Sequence, residues 1–312
     1  MVPNSPRNEA LLSPNWASKA CRLFGKTRQA FYDNQWRDAD EKFQEALIID
    51  LVKSIRAVLP RVGGLKLLFM LQEDFNAHGI SIGRDSFFAL LGKHDLLIKR
   101  KRKYARTTWS NHHYYKWPDL IQGLEVQAAQ QLWVSDITYL RTRQGFVYLS
   151  LITDAWSHKI VGYHLSLHLK AQGCLIALDK AIATLKKNPG LIPIHHSDRG
   201  IQYCCDLYVA RLQDMKIQIS MTQSGSPYDN SVAERLNGIL KHELGLESTF
   251  EDYNHAVAAT HSAIDRYNRI RPHFSCSKLT PEKAHLSKGP LEKHWKSKRK
   301  KQPSGPKQEK AL

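Results

Sequence analysis

The sequence predicts an α/β domain built on a mixed five-stranded sheet, preceded by a helical region. Three observations carry that expectation. Up to about residue 105 the apolar residues recur at helical spacing, and the runs end at glycine or proline. From Leu132, three short apolar runs follow one another across turn-length gaps. Beyond Ala171, helical and strand-like runs alternate. Closely spaced strands form an antiparallel meander, and alternating strands and helices add to the same sheet, so the whole is a layered domain with a mixed sheet.

Taken in order, residues 17–23 form a short amphipathic run that Gly25 breaks, and Thr27 can cap a second run through Tyr32. Gly25-Lys26-Thr27 resembles the end of a phosphate-binding loop. The first glycine of such a loop would fall at position 20, which is Ala20, so that reading fails. A longer helical stretch covers 41–59 and stops at Pro60. After Gly63-Gly64, residues 65–75 read as a helix closed by Gly79. Ile80 to Ser86 then leads into a helix over 87–94, giving a second helix-turn-helix pattern. It runs directly into Lys99, Arg100, Lys101, Arg102 and Lys103. Five consecutive cations beside a possible recognition helix, with Arg84 in the turn before it, suit contact with backbone phosphates. Residues 103–128 are polar and aromatic and read as a linker.

The strands follow at 132–140, 146–152, 160–165, 191–196 and 216–221. Helices are expected near 171–187, near 202–215 and around Glu234. The last 25 residues set Lys296, Lys298, Arg299, Lys300 and Lys301 among Pro, Gly, Ser and Gln, a composition typical of a disordered basic tail. The expected organisation is a short helical segment at 1–40, a helix-turn-helix-like DNA-binding region at 41–105, a linker at 106–127, a catalytic core at 128–287 and the tail at 288–312.

Lys plus Arg exceeds Asp plus Glu by 46 − 29 = 17, which points to a polyanionic partner, nucleic acid being the commonest. No stretch approaches the roughly 20 apolar residues that span a bilayer, and the first residues carry no signal-peptide pattern. A soluble intracellular (cytoplasmic) protein is expected. Five cysteines, odd in number and scattered, argue against a disulfide framework. His195-His196 and Cys204-Cys205 have zinc-binding residue types, but adjacent strand residues point to opposite faces and the spacings are wrong for one ion.

Three acids carry the chemistry: Asp136 in the first strand run, Asp198 at the end of a later one, and Glu234 on a helix. Brought together, they form an oxygen-only donor set for hard divalent cations. On a 100° step, Asn230, Glu234, Asn237 and Lys241 fall within about 60° of one another, opposite Val232, Leu236, Ile239 and Leu240. Two ions held by such acids can clamp the attacking and leaving oxygens of a displacement at phosphorus. Mg²⁺ is the expected ion, with Mn²⁺ as a substitute.

Between Asp198 and Glu234 lie 35 residues, and Lys241 follows the glutamate by seven. This resembles the D,D(35)E signature, with its trailing basic residue, of retroviral integrases and bacterial transposases. Trp133–Tyr139, His195–Tyr203, Ser226–Arg235 and the closing word Tyr267-Asn268-Arg269-Ile270-Arg271-Pro272-His273, with Thr280-Pro281 after it, resemble the words of the OrfB-type insertion-sequence transposases. The resemblance spans about residues 45–286. It implies an RNase H-like core behind a helix-turn-helix region, with Asp136, Asp198 and Glu234 as catalytic metal ligands and Lys241 near the DNA end. It further implies cleavage at insertion-sequence ends and strand transfer into DNA by a multimer. In this group an upstream-frame OrfA product can be fused to the enzyme. The 63–72 region reads Gly63-Gly64-Leu65 where that group has an aromatic-glycine-aromatic word. Two other functions compete: a second-frame DNA-binding regulator without catalysis, and an RNase H-like nuclease. A regulator need not keep all three acids, and a nuclease does not explain the helix-turn-helix patterns or the closing word.

Overall fold

The computed structural model describes residues 21–25, 27–98, 114–185, 191–223 and 231–294. The chain divides into two compact units, Met1–Ala57 with Gly63–Ile98, and Val58–Val62 with Lys99–Leu312.

The first unit holds helices α1 (Arg28–Val58), α2 (Gly64–Met70), α3 (Gln72–Ala77) and α4 (Arg84–Lys93). Helix α1 is continuous where two separate runs were expected. No glycine or proline occurs between residues 28 and 58, so nothing interrupts the backbone ladder, and the expected boundary at residue 40 falls inside a helix. Leu67, Leu71, Phe75, Phe87 and Leu91 are buried together with Ile48 and Val52. Phe75 and Phe87 meet edge to face at 6.1 Å. Gly79 ends α3 as read: at φ +66° it turns the chain so that Ile80 N–H returns to Phe75 O at 2.8 Å.

The second unit is built on a sheet of order β3-β2-β1-β4-β5, from β1 (Leu132–Thr142), β2 (Gly145–Asp154), β3 (Ile160–Ser166), β4 (Ile194–Ser197) and β5 (Gln218–Met221). The first three strands are antiparallel neighbours, and β4 and β5 join parallel to β1. This is the mixed, RNase H-like sheet that the sequence led us to expect. A short β6 (Thr249–Phe250) also pairs with β1, from Arg141 onward. Strand β4 borders β1 only at Leu132–Val134. Between those two pairings, residues 135–140 of β1 have no strand on that edge among the described residues.

Side chains alternate along β1. Trp133 and Ile137 face a core shared with α5 (Ala171–Leu185), α6 (Ile201–Cys204) and α7 (Asp206–Asp214), where Cys174, Ala177, Leu178, Tyr208 and Leu212 are buried. Helix α5 lies directly on β3 at Gly162, where a Cβ would sit 2.2 Å from Ala177 O. On the opposite face, Leu132 and Val134 pack against Ala233 of α8 (Ser231–Gly238). The helix expected over 202–215 is two helices. Cys205 is extended, and its carbonyl takes the N–H groups of Tyr208 and Val209, starting a new helix without any glycine or proline to announce the break.

Two capped helices close the unit, α9 (Tyr253–Arg269) and α10 (Pro281–Leu286). Asp252 accepts the His255 N–H at 2.9 Å, and Thr280 precedes Pro281 at the first helical position. Helix α10 is tied to the end of β2 through Asp154, which is fully buried. The Asp154 carboxylate accepts from Gln130 N (2.7 Å), Ser157 N (2.8 Å) and Ser157 Oγ (2.7 Å), and Ser157 Oγ lies 2.9 Å from His285 Nδ1. Burial by itself would raise this carboxyl. His285 and the two Ser157 donors outweigh that and hold it below its ordinary value.

Candidate active site

Asp136 lies on the uncovered stretch of β1, on the face that carries α8. Ala233 packs on Leu132 and Val134, which brings the neighbouring Glu234 toward the acid two residues farther along the strand. Asp198 follows directly on the end of β4, where its Oδ1 accepts the Gly200 N–H at 2.9 Å. A Cβ at Gly200 would lie 2.9 Å from that same oxygen, so a larger residue there would displace the Asp198 carboxylate. Asp136 Oδ1 accepts the Ile137 N–H at 2.9 Å, and Asn237 Nδ2 donates to Oδ2 at 2.5 Å.

Electrostatics shows the acids as neighbours. The Asp136 carboxyl is pushed up to about 7, by desolvation first and then by the negative charge of Asp198. The Ile137 N–H opposes the shift, Glu234 adds to it, and Lys241 opposes it. The oxygens of the three acids do not all lie within 4.8 Å of one another, so these are repelling neighbours and not a closed cage.

The helix bearing Glu234 departs from the expected 100° step. After Gly238 it widens into a π-helical segment, Ile239–Glu243, in which Leu244 N–H reaches back five residues to Ile239 O at 3.1 Å. The seven-residue spacing from Glu234 to Lys241 therefore does not place both on one α-helical face. The wider turn drops Lys241 behind its α-helical phase, and its Nζ lies 4.3 Å above the Tyr139 ring, still within the field of Asp136. The far end of the segment is held by Glu243, which receives both Nε and Nη2 of the buried Arg271 at 2.9 Å each. Arg271 belongs to the closing word.

Two models described as integrase core domain match the chain, one over residues 126–227 and the other over residues 215–281. The insertion element IS600 uncharacterized 31 kDa protein of Shigella sonnei is 32% identical over 264 residues, 84% of this chain and 95% of that protein. Transposase InsF for insertion sequence IS3A of Escherichia coli K12 is 32% identical over 215 residues, 68% and 74% of the two chains. The chain belongs to the insertion-sequence transposases with an integrase core. Among solved structures, the simian T-cell lymphotropic virus intasome in complex with PP2A regulatory subunit B56 gamma is similar at 18% identity and a TM-score of 0.45, over 78% of this transposase and 80% of that chain.

The remaining predicted site residues of the transposase are scattered or undescribed. Arg84 starts α4, is exposed, and is paired with its neighbour Asp85 at 2.8 Å. Asn230 and Lys99, Arg100, Lys101, Arg102 and Lys103 lie outside the described residues. His195 and His196 form no zinc site with the two cysteines. His195 Nε2 meets Ser135 Oγ at 2.7 Å and Tyr208 OH at 2.9 Å, and burial lowers its imidazole to about 3. His196 Nδ1 meets Ser220 Oγ, while the Cys204 and Cys205 thiols point to Met221 Sδ and Gln202 O.

Among the described residues, His158, His273 and Cys276 do bring their ligand atoms within 4.8 Å of one another. The two imidazoles are stacked, with centroids 4.4 Å apart and planes 23° apart, so their lone pairs lie in nearly parallel, separate planes, a poor geometry for one ion. Cys276 Sγ donates to Ser157 O at 3.5 Å, and burial pushes its thiol up to about 12. That cluster is packing around the closing word. Nothing in the spacing of the sequence marks Tyr139 as a neighbour of Lys241. That spacing puts Asn237 on the right helix, but not as the donor to Asp136.

Proposed function

We propose that Asp136, Asp198 and Glu234 hold divalent cations, Mg²⁺ or in its place Mn²⁺, and catalyse end cleavage and strand transfer by this transposase. The observation that carries this reading is the approach of the three acids: Asp136 is pushed to about 7 by desolvation first and then by the charges of Asp198 and Glu234. Carboxylates set side by side repel one another and attract positive charge, and an oxygen-only set suits hard cations. Bound there, the ions would supply Lewis-acid stabilisation of the attacking and leaving oxygens at phosphorus.

The protein's own groups orient the acids. Ile137 N–H and Asn237 Nδ2 each fix one oxygen of Asp136, and Gly200 N–H fixes one of Asp198. No side chain is needed as nucleophile, because water serves in cleavage and a DNA 3′-hydroxyl in joining. Lys241 and Asn230 contact the DNA end. Arg84 and Lys99–Lys103 contact duplex phosphates from the 41–105 region, with residues 106–127 as the linker, 128–287 as the core and 288–312 as a basic tail. The substrates are insertion-sequence ends and target DNA. The acting species is a multimer in the bacterial cytoplasm, alone or with an upstream-frame OrfA partner.

The test incubates labelled insertion-sequence end DNA and Mg²⁺ with the full chain and with Glu234→Gln. The parent cleaves and joins, and the variant binds without doing either. A variant that joins as well as the parent would remove Glu234 from the centre. Binding without chemistry by both would make the isolated chain a regulator.

A further inference from the structure

We propose that Tyr139, braced by Phe146, is a stacking platform for an unpaired base of the DNA beside the acids, and that Lys241 leaves its ring for a phosphate when DNA binds. The proposal rests on the strand-transfer reading above and names what that site grips. Tyr139, paired with Tyr148 of β2 on one edge, lies on the stretch of β1 whose other edge has no strand among the described residues, three residues beyond Asp136 and about 10 Å along the strand. Alternation puts its ring on the opposite face from the carboxylate. The base it holds is therefore a neighbour of the reacting phosphodiester and not the nucleotide at it.

Large aromatic rings left in water at a catalytic edge call for an explanation. Tyr139 is 43% exposed and Phe146 50% exposed. They meet across β1 and β2 at 5.2 Å with planes 80° apart, so the edge of one ring props the other. Each also carries a cation: Lys241 Nζ lies 4.3 Å over Tyr139, and the Arg141 guanidinium 5.7 Å over Phe146. Exposed rings interleaved with cations are the composition of single-strand nucleic-acid grooves, where the π-face takes a base and the cation takes the backbone.

Lys241 is poised to move. Desolvation lowers its ammonium's pKa, while Asp136 and then Glu247 oppose the shift. A phosphate arriving at the edge offers it a full charge in place of a ring face, and leaving frees that face for the base. Every base presents a π-face, so the platform selects unpaired ends and not a sequence. A merely structural aromatic pair would stabilise the β1–β2 hairpin and leave the environment of a bound base unchanged.

The experiment uses the full chain in metal-free buffer, so that no chemistry occurs. The probe is a short duplex with a single-stranded 3′ overhang carrying 2-aminopurine, whose fluorescence falls when the base stacks. The parent quenches the probe. Tyr139→Ala binds it roughly ten-fold more weakly without quenching. Tyr139→Phe and Tyr139→Trp restore the quench. Tyr139→Ile, which keeps strand propensity but has no ring, does not, and it decides the matter if the alanine variant fails to fold. Lys241→Gln weakens binding and flattens its salt dependence but keeps the quench. Equal quenching by parent and Tyr139→Ile, or loss of quenching in Tyr139→Phe, would overturn the proposal. Because joining is never measured, failure of the Glu234→Gln test would leave this result standing on its own.

Discussion

Asp136 and Asp154 sit on neighbouring antiparallel strands, Asp136 opposite Leu151 and Asp154 opposite Trp133, and titrate in opposite directions. Asp154 has no exposed surface, yet its carboxyl is held below the ordinary value, because three donors and His285 surround it. The Asp136 carboxyl instead rises to about 7, by desolvation first and then by the charge of Asp198. It has one backbone donor and one amide, and it faces two further acids. Burial raises both carboxyls; at Asp154 the donors and His285 outweigh it, while at Asp136 the neighbouring acids add to it. Asp154 is held ionised and fastens α10, while Asp136 is left with neighbouring negative charge that, on the proposed function, a cation would balance.

The largest effect expected from breaking this contrast lies at the satisfied acid. Asp154→Asn removes the charge that Ser157, Gln130 and His285 converge on, at a cost of about 2–3 kcal/mol. That corresponds to a fall of roughly 5–10 °C in thermal midpoint. Because the folded pKa is depressed, the stabilisation is present above the unfolded value near 4 and disappears as pH falls below it. Thermal melts at neutral and acid pH check both points.

Asp136→Asn should do the reverse. The folded carboxyl keeps its proton up to about 7, while the unfolded chain releases it near 4. The folded state therefore binds more protons across that window, and stability falls as pH rises through it. In metal-free buffer the substitution should raise the midpoint by about 2–4 °C at about pH 8 and by nothing at about pH 4. The new amide loses no partner, because Asn237 Oδ1 is buried without a hydrogen bond and can turn to accept from it.

How much of this was legible in the sequence follows from the range of the forces involved. The three acids, the meander and the Gly79 stop are local patterns of spacing and turn chemistry, and they read directly. The continuous α1 follows from the lack of breakers and could have been read. The split at Cys205 could not, because it depends on where that carbonyl finds its donors. The π-helical segment was equally hidden: Glu243 is anchored by Arg271, 28 residues later in the chain, and no periodicity in residues 230–241 records that tether. The platform at Tyr139 needed the structure too, since the gap between the β4 and β6 pairings exists only once the sheet is assembled.

A smaller effect sharpens the comparison. Asn237→Leu leaves the three acids in place but removes the donor to Asp136 Oδ2. The charged form of Asp136 loses a hydrogen bond, so its titration moves to still higher pH, and the pH threshold for cation binding should move with it. Joining activity measured against pH in Mg²⁺ would show the acid limb displaced upward, with the plateau at alkaline pH changed only a few-fold.

The most direct measurement is the affinity for Mn²⁺ followed by electron paramagnetic resonance between about pH 6 and about pH 8, for the parent and for Asp198→Asn. If the acids form one centre, Mn²⁺ competes with the proton on Asp136, and the parent's affinity rises through about pH 7. Asp198→Asn removes part of the repulsion, so its inflection moves to lower pH while its affinity at about pH 8 falls. A parent affinity independent of pH, or a variant that binds Mn²⁺ as the parent does, would contradict the account.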